Sequence, residues 1–489
     1  MNVEVAGRVL STLPGDDDHP YRTGAWQPNF VEYDATDLDV IGEIPRDLSG
    51  VYLRNTENPV HPSLDRLYHP FDGDGMLHTI RFHDGRADYR NRFVRTIGFE
   101  AEQRAGQALW SGSLGGPDQS VRADGWGART RMKDASSTDV VVHAGRALTS
   151  FYQCGDLYAF DPCTLEQLGR ESWTGAFPGD WGISAHQKPD PNTGEMLVFN
   201  YAKTAPFMHY GVVDANNELA HWIDVPLPGP RLPHDMAFTE HYAILNDCPL
   251  FWDADFLEQG AHVPRFRPDL PTRFAVIPRR GATDDIRWFE ADPTYVLHWV
   301  NAYEEGDDIV LDGFFQGDPM PASAGETDRY RRAFRGIDTH RMQTVLKRWR
   351  MNLATGACTE EQLSDRIMEF PMINQQHAGR PYRYTYNMTT QPGWFLFDGV
   401  VKVDLHTGAE ERFAFGDGVF GSETPMAPRQ NATAEDDGYL VTFTTDVGRD
   451  CSECLVLDAQ DVAAGPIARI RLPERISSGT HSCWAPLPN

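Results

Sequence analysis

Short apolar runs, each closed by a turn signal, dominate the chain from Asp39 onward. Gly50-Val-Tyr-Leu-Arg, Leu77-His-Thr-Ile-Arg-Phe, Val140-Val-Val, Leu157-Tyr-Ala-Phe, Met196-Leu-Val-Phe-Asn-Tyr, Ile309-Val-Leu-Asp-Gly-Phe-Phe, Tyr439-Leu-Val-Thr-Phe and Leu455-Val-Leu-Asp are rich in β-branched and aromatic residues and read as strands. Asp84-Gly85 and Ala144-Gly145 punctuate them as hairpin turns. A recurring phrase is a strand, an Asp or Asn, a short turn and a second strand. It begins at Asp161, Asp190, Asn352 and Asp404. Such hairpins, irregularly spaced along the chain, fit the blades of a β-propeller. Helix signals are confined to Ala101–Leu109, Ala254–Gln259 and Arg329–Phe334, which read as insertions over one face. Residues 1–35 are polar and rich in Asp, Pro and Gly, and read as an irregular N-terminal arm. The remainder, 36–489, reads as a single all-β domain, a propeller with a loop-built, short-helix cap.

Composition narrows the function classes. With 489 residues and 40% hydrophobic content the chain can bury a large core. Lys+Arg number 44 against Asp+Glu 71, a net charge of −27. That balance argues against nucleic acid as a partner and against electrostatic docking on anionic lipid, leaving at most transient membrane contact. The first residues lack a basic segment followed by an apolar run, and no run approaches the ~18 residues of a membrane span. The 7 cysteines, odd in number, read as reduced thiols of a cytoplasmic protein. Cys451-Ser-Glu-Cys454 reads as a hairpin turn rather than half of a zinc site.

Candidate chemistry centres on Asp292-Pro-Thr-Tyr-Val-Leu-His-Trp-Val-Asn-Ala-Tyr303, whose apolar residues read as a buried strand. His298 lies inside that run, and a buried imidazole needs a partner for each ring nitrogen. Taken alone it reads as a core histidine. However, His186, His234 and His481 recur in comparable strand-edge settings spread over most of the chain, which suggests one site gathered from several structural units.

Gly42-Glu-Ile-Pro-Arg, Gly50-Val-Tyr-Leu-Arg-Asn, Phe71-Asp-Gly-Asp-Gly-Met-Leu-His, Glu369-Phe-Pro-Met-Ile-Asn, Gly421-Ser-Glu-Thr, Glu435-Asp-Asp-Gly-Tyr-Leu and His481-Ser-Cys-Trp-Ala-Pro occur in this order. In them the chain resembles the carotenoid cleavage oxygenases, a family that includes lignostilbene- and isoeugenol-cleaving enzymes. The resemblance implies a seven-bladed propeller with Fe(II) held by His186, His234, His298 and His481. Imidazole suits iron, and four neutral ligands leave open positions for O2 on an octahedral ion. It also implies outer carboxylates at Glu369 and Glu423, and a Thr138 whose methyl crowds an open iron position. A third family glutamate falls where this chain has Ser150.

The implied partners are O2 and a hydrophobic conjugated alkene, cleaved to two carbonyl products. Phenol-cleaving members grip a 4-hydroxyl with Tyr and Lys, and those positions carry Ser113 and Thr149 here. Lys133 lies nearby in sequence and reads as exposed. The departures favour a carotenoid or apocarotenoid substrate. A short, acidic Cys248–Gly260 segment favours the alternative, a stilbene or phenylpropenoid alkene. Phe71, Trp110, Trp126, Phe151, Trp181, Phe207, Trp299, Phe315 and Phe420 are candidate tunnel residues. A propeller without catalysis, serving only to bind, is the rival class.

Overall fold

The four Asp/Asn turns share one geometry, in a computed structural model that describes residues 1–64, 67–115, 119–122, 132–171, 173, 182–253, 255–256 and 263–486. At Asp161, Asp190, Asn352 and Asp404 the side-chain oxygen accepts the N–H two residues on, at 2.9, 2.9, 3.1 and 3.0 Å. The backbone then closes twice, as in Asn352 N–H to Ala357 O at 2.8 Å and Gly356 N–H to Asn352 O at 2.9 Å. The fifth residue is left-handed each time: Leu165, Gly194, Gly356 and Gly408, with φ of 56°, 74°, 77° and 73°. Glycine enters that region without penalty, which is why the phrase carries Thr-Gly three times and costs most at Leu165.

Contacts divide the chain into two compact units, Met1–Ala185 with Arg412–Asn489 and His186–Leu257 with Val263–Glu411. In the first unit one antiparallel sheet runs Asn2–Arg8, Val31–Thr36, Arg86–Phe93, Met76–His83, Gly50–Arg54, Ser482–Pro486. A second runs Gln167–Arg170, Tyr158–Phe160, Arg146–Ser150, Asp139–His143. A third is built on Gly438–Asp446, Cys451–Asp458, Pro466–Arg471 and Val40–Gly42. Tyr52, Phe82, Tyr89 and Phe443 fill a core between strands of the first and third sheets.

The second unit holds Lys188–Pro189, Met196–Tyr201, Met208–Val213, Leu219–Asp224 as one sheet and Ala237–Phe238, Tyr242–Asp247, Thr272–Pro278, Arg287–Ala291 as the next. Val296–Glu305, Asp308–Gln316, Thr344–Asn352 and Cys358–Met372 follow, and Cys358–Met372 continues into Tyr384–Thr390 and Phe397–Asp404. Phe274, Trp299, Leu311 and Trp349 pack between these sheets.

Three expectations need correction. The N-terminal arm is not irregular throughout, because Asn2–Arg8 pairs antiparallel with Val31–Thr36. Its side chains are mostly exposed, so backbone pairing rather than burial holds it, and polar composition gave no sign of that. The expected helix over Ala101–Leu109 is Ile97–Ala105, where Thr96 Oγ1 accepts Phe99 N–H at 2.9 Å and a left-handed Gly106 ends it. Cys451–Cys454 lies within a strand, since the turn is taken by the residues just before it. The helix at Arg329–Ala333 is present, capped by Asp328, whereas Ala254–Gln259 falls largely outside the described residues. Among the described residues no helix is long and apolar enough to cross a membrane.

Candidate metal centre

His298 sits on Val296–Glu305, a strand whose register against Asp308–Gln316 shifts between Val296 and Trp299 and again between Trp299 and Asn301. Such irregularities re-aim a side chain and twist the strand. Gly313 opposite admits the Trp299 ring, since a Cβ there would lie 2.4 Å from it. His186 is left-handed at φ 65°, a conformation costly for any residue with a Cβ and held here by its surroundings. In the second unit these two rings meet that of His234, with centroid separations of 4.6, 5.0 and 5.2 Å. One nitrogen of each lies within 4.8 Å of the others, and all three residues are buried.

His186 Nε2 and His234 Nε2 are 3.0 Å apart. Two nitrogens bound at right angles to one ion, each at about 2.1 Å, would be separated by about that distance. His298 Nδ1 donates to Glu369 Oε2 at 2.6 Å, which fixes the tautomer and leaves Nε2 as the ligand atom. Phe370 N–H donates to the same oxygen at 2.7 Å from a left-handed backbone, φ 53°. The Phe370 ring stands 4.6 Å from that of His298 and packs on Phe395 and Phe397. The donor set is all imidazole with a carboxylate behind it, and it fits a divalent transition metal.

The first unit carries His481, 4% exposed, with Nδ1 at 3.2 Å from Glu423 Oε1. Glu423 Oε2 accepts Ser482 N–H at 2.7 Å, and Asn55 N–H donates to the His481 carbonyl at 3.0 Å. Thr138 is placed beside this group: its carbonyl accepts Thr480 Oγ1 at 3.1 Å and its hydroxyl accepts Tyr152 N–H at 3.1 Å. Ser150, wholly buried, uses its carbonyl to accept Thr138 N–H at 2.9 Å.

Residues 26–486 match the family model described as retinal pigment epithelial membrane protein. The chain is 31% identical to a carotenoid cleavage oxygenase of Mycobacterium tuberculosis, across 98% of this chain and 100% of that protein. The chain belongs to the carotenoid cleavage oxygenase family. The isoeugenol monooxygenase of Pseudomonas nitroreducens is similar at 30% identity, over 96% of this chain and 98% of its own. The crystal structure of Pseudomonas brassicacearum lignostilbene dioxygenase matches with a TM-score of 0.84 at 27% identity, over 96% of this chain and 99% of that one. As a member of the carotenoid cleavage oxygenase family the protein is an all-β propeller and a metal-dependent oxidoreductase that cleaves alkenes with O2.

Other residues of this family member stand differently from expectation. Lys133 is not exposed: it is half-buried between Asp74, with which it pairs, and Glu102 at 2.6 Å, because two buried carboxylates need its charge. Burial pulls its ammonium down, but the two carboxylates outweigh that and hold it above the usual lysine range. Trp299, a candidate tunnel residue, belongs to the core, edge-on to Phe274 and Trp349. Trp126 and Trp181 lie outside the described residues. The aromatic wall beside His298 comes instead from Phe370, Phe395 and Phe397, which sequence reasoning passed over although Phe370 follows Glu369 directly.

Proposed function

We propose that the protein is a non-haem Fe(II) dioxygenase that cleaves a conjugated C=C bond of a carotenoid or apocarotenoid into two carbonyl products. His186, His234, His298 and His481 would hold the metal; all four are buried and each has a ligand atom to offer. Glu369 and Glu423 orient two of them through Nδ1, and Thr138 restricts one approach to the metal. When bound, iron supplies the binding and activation of O2. The protein's own residues do the rest. Glu369 and Glu423 hold the tautomers of His298 and His481, and the Phe370, Phe395 and Phe397 cluster presents an apolar surface that excludes water beside His298.

The observation that carries the activity is the convergence of three buried imidazoles backed by Glu369. For the substrate, the observation is what occupies the phenol-gripping positions. Thr149 Oγ1 is engaged by Ser136 at 2.7 Å, Ser113 donates to Asp72 at 3.0 Å, and Lys133 is committed to Asp74 and Glu102. None of these groups offers a free cation to a phenolate. A second reading, a stilbene or phenylpropenoid alkene, is favoured by Tyr152, whose hydroxyl reaches Asp72 Oδ1 at 3.2 Å beside Ser113, a phenol–carboxylate pair suited to a polar end group.

The antiparallel sheets of the two units we read as seven blades of one domain. The net charge of −27 supports a protein without a nucleic-acid partner, and the few cysteines, odd in number, support a cytoplasmic one. The Fe(II)-loaded protein is to be given an apocarotenal and a hydroxystilbene together in air, with carbonyl products identified by mass spectrometry. Apocarotenoid fragments alone are expected. Benzaldehyde-type products alone transfer the assignment to the second reading, and no O2 uptake with either leaves a binding propeller.

A further inference from the structure

Asp235 follows His234 and is 1% exposed. Its Oδ2 accepts Trp299 N–H at 2.9 Å, and its Oδ1 accepts Met236 N–H at 2.7 Å and meets Lys188 Nζ at 2.7 Å. Trp299 is the residue after His298, and Lys188 comes two after His186. One carboxylate therefore ties together the segments that carry three of the candidate ligands, and the three segments belong to three successive sheets of the second unit. Its carbonyl is held as well, by Asn246 Nδ2 at 2.8 Å. The Trp299 N–H is available because the strand leaves regular register on both sides of that residue.

The arrangement has the features of a spacer. A sheet ladder sets distances within one sheet, whereas the three histidines lie on different sheets and need a tie that crosses between them. The ion pair with Lys188 neutralises the Asp235 carboxylate, so a negative group stands one residue from a candidate ligand without acting as a ligand itself. Every tie reaches within two residues of a histidine, so a small shift of the carboxylate moves the rings with little lever loss.

Building on the metal-centre reading, we propose that Asp235 is a positioning residue that sets the mutual spacing of His186, His234 and His298, with Lys188 as its counter-charge. Asp235→Asn keeps the shape, forfeits the ion pair and leaves one oxygen where two accepted N–H groups. Lys188→Met removes only the tie toward His186.

Full-length wild type, Asp235→Asn, Lys188→Met and His298→Ala are to be titrated with Co(II) alone, following the cobalt absorption spectrum and the dissociation constant, with thermal unfolding of each metal-free protein alongside. In wild type, Co(II) binds and His298→Ala abolishes binding; no binding by wild type overturns the metal-centre reading and this inference with it. With that reading intact, Asp235→Asn is expected to weaken Co(II) about 10–100-fold and to shift its absorption bands. Lys188→Met is expected to weaken it less and to shift the bands in the same sense. A lower Tm in either variant with the wild-type cobalt spectrum and affinity makes Asp235 a fold residue only and overturns the proposal. Should Asp235→Asn not fold, the Lys188→Met spectrum decides alone by the same criterion.

Discussion

Glu369 beside His298 and Glu423 beside His481 perform the same task in different ways. In the second unit a single oxygen of Glu369 takes both the imidazole, at 2.6 Å, and the Phe370 N–H, at 2.7 Å. In the first unit Glu423 divides its oxygens, one to His481 at 3.2 Å and the other to Ser482 N–H at 2.7 Å. His481 is in addition framed by backbone: its carbonyl takes Asn55 N–H, and Ser482 pairs with Arg54 in the sheet. His298 sits where its strand leaves register and has less of that support. Short charge-assisted hydrogen bonds are about twice as strong as neutral ones, so His298 leans on its carboxylate and His481 leans on its strand.

The largest effect belongs to the more dependent histidine. His298→Ala is expected to abolish metal binding and alkene cleavage while unfolding remains cooperative, since the cores of both units lie elsewhere. Metal content by mass spectrometry and O2 uptake check this. A variant that retains full metal and activity removes His298 from the site.

Next come the carboxylates themselves. Loss of an outer partner of a metal-bound histidine costs about 10–100-fold in metal affinity. Glu369→Ala is expected toward the upper end and Glu423→Ala toward the lower, measured by competition with a chelator. Equal losses would erase the distinction between a bond-held and a strand-held histidine.

The sequence disclosed residue types in order, which was enough to read most of the strands and to single out the four histidines and both glutamates as candidates. It did not disclose the ties that depend on backbone groups. The N–H of Trp299 is free only because the strand shifts register there, and Asp235 reads in the sequence as an ordinary acidic neighbour of His234. Lys133 read as exposed because its two carboxylates, Asp74 and Glu102, lie far from it along the chain. The strand at Asn2–Arg8 was hidden because pairing with Val31–Thr36 requires no apolar face. Patterns of burial are written in side chains; hydrogen bonds between distant backbone groups are not.

A smaller effect tests the frame around His481 from behind. Glu57 is 1% exposed and its Oε1 meets Thr480 Oγ1 at 3.1 Å. Burial pushes its carboxyl up from 4.5 to about 8, against the lowering effect of its hydrogen bonds and Arg54. Unfolded, the group loses its proton near 4.5; folded, it keeps it to about 8. The folded state therefore binds the extra proton in that window, so stability is full below it and falls as pH rises through it. Glu57→Gln mimics the protonated form. Its Tm is expected to match wild type near pH 4 and to exceed it by a few degrees near pH 8.5, with metal affinity little changed. Parallel Tm curves for the two proteins would show that Glu57 ionises freely in the folded state.

The smallest effect is expected at Ser150, where the resemblance places a third glutamate. The Ser150 hydroxyl is buried and finds no hydrogen-bond partner among the described residues, while its carbonyl holds Thr138 N–H. Removing an unsatisfied buried hydroxyl costs little, because no bond is lost and no partner is stranded. Ser150→Ala is thus expected to leave both Tm and metal affinity unchanged, and a drop in affinity would assign the hydroxyl a part in the site. Ser150→Glu asks the converse. Three added heavy atoms in a filled interior lower stability by about 1–3 kcal/mol. If one histidine lacks carboxylate support, the same variant binds metal more tightly despite its lower Tm. A lower Tm with unchanged affinity would show that the backbone-held frame of the first unit is sufficient without a third carboxylate, as it is at His481.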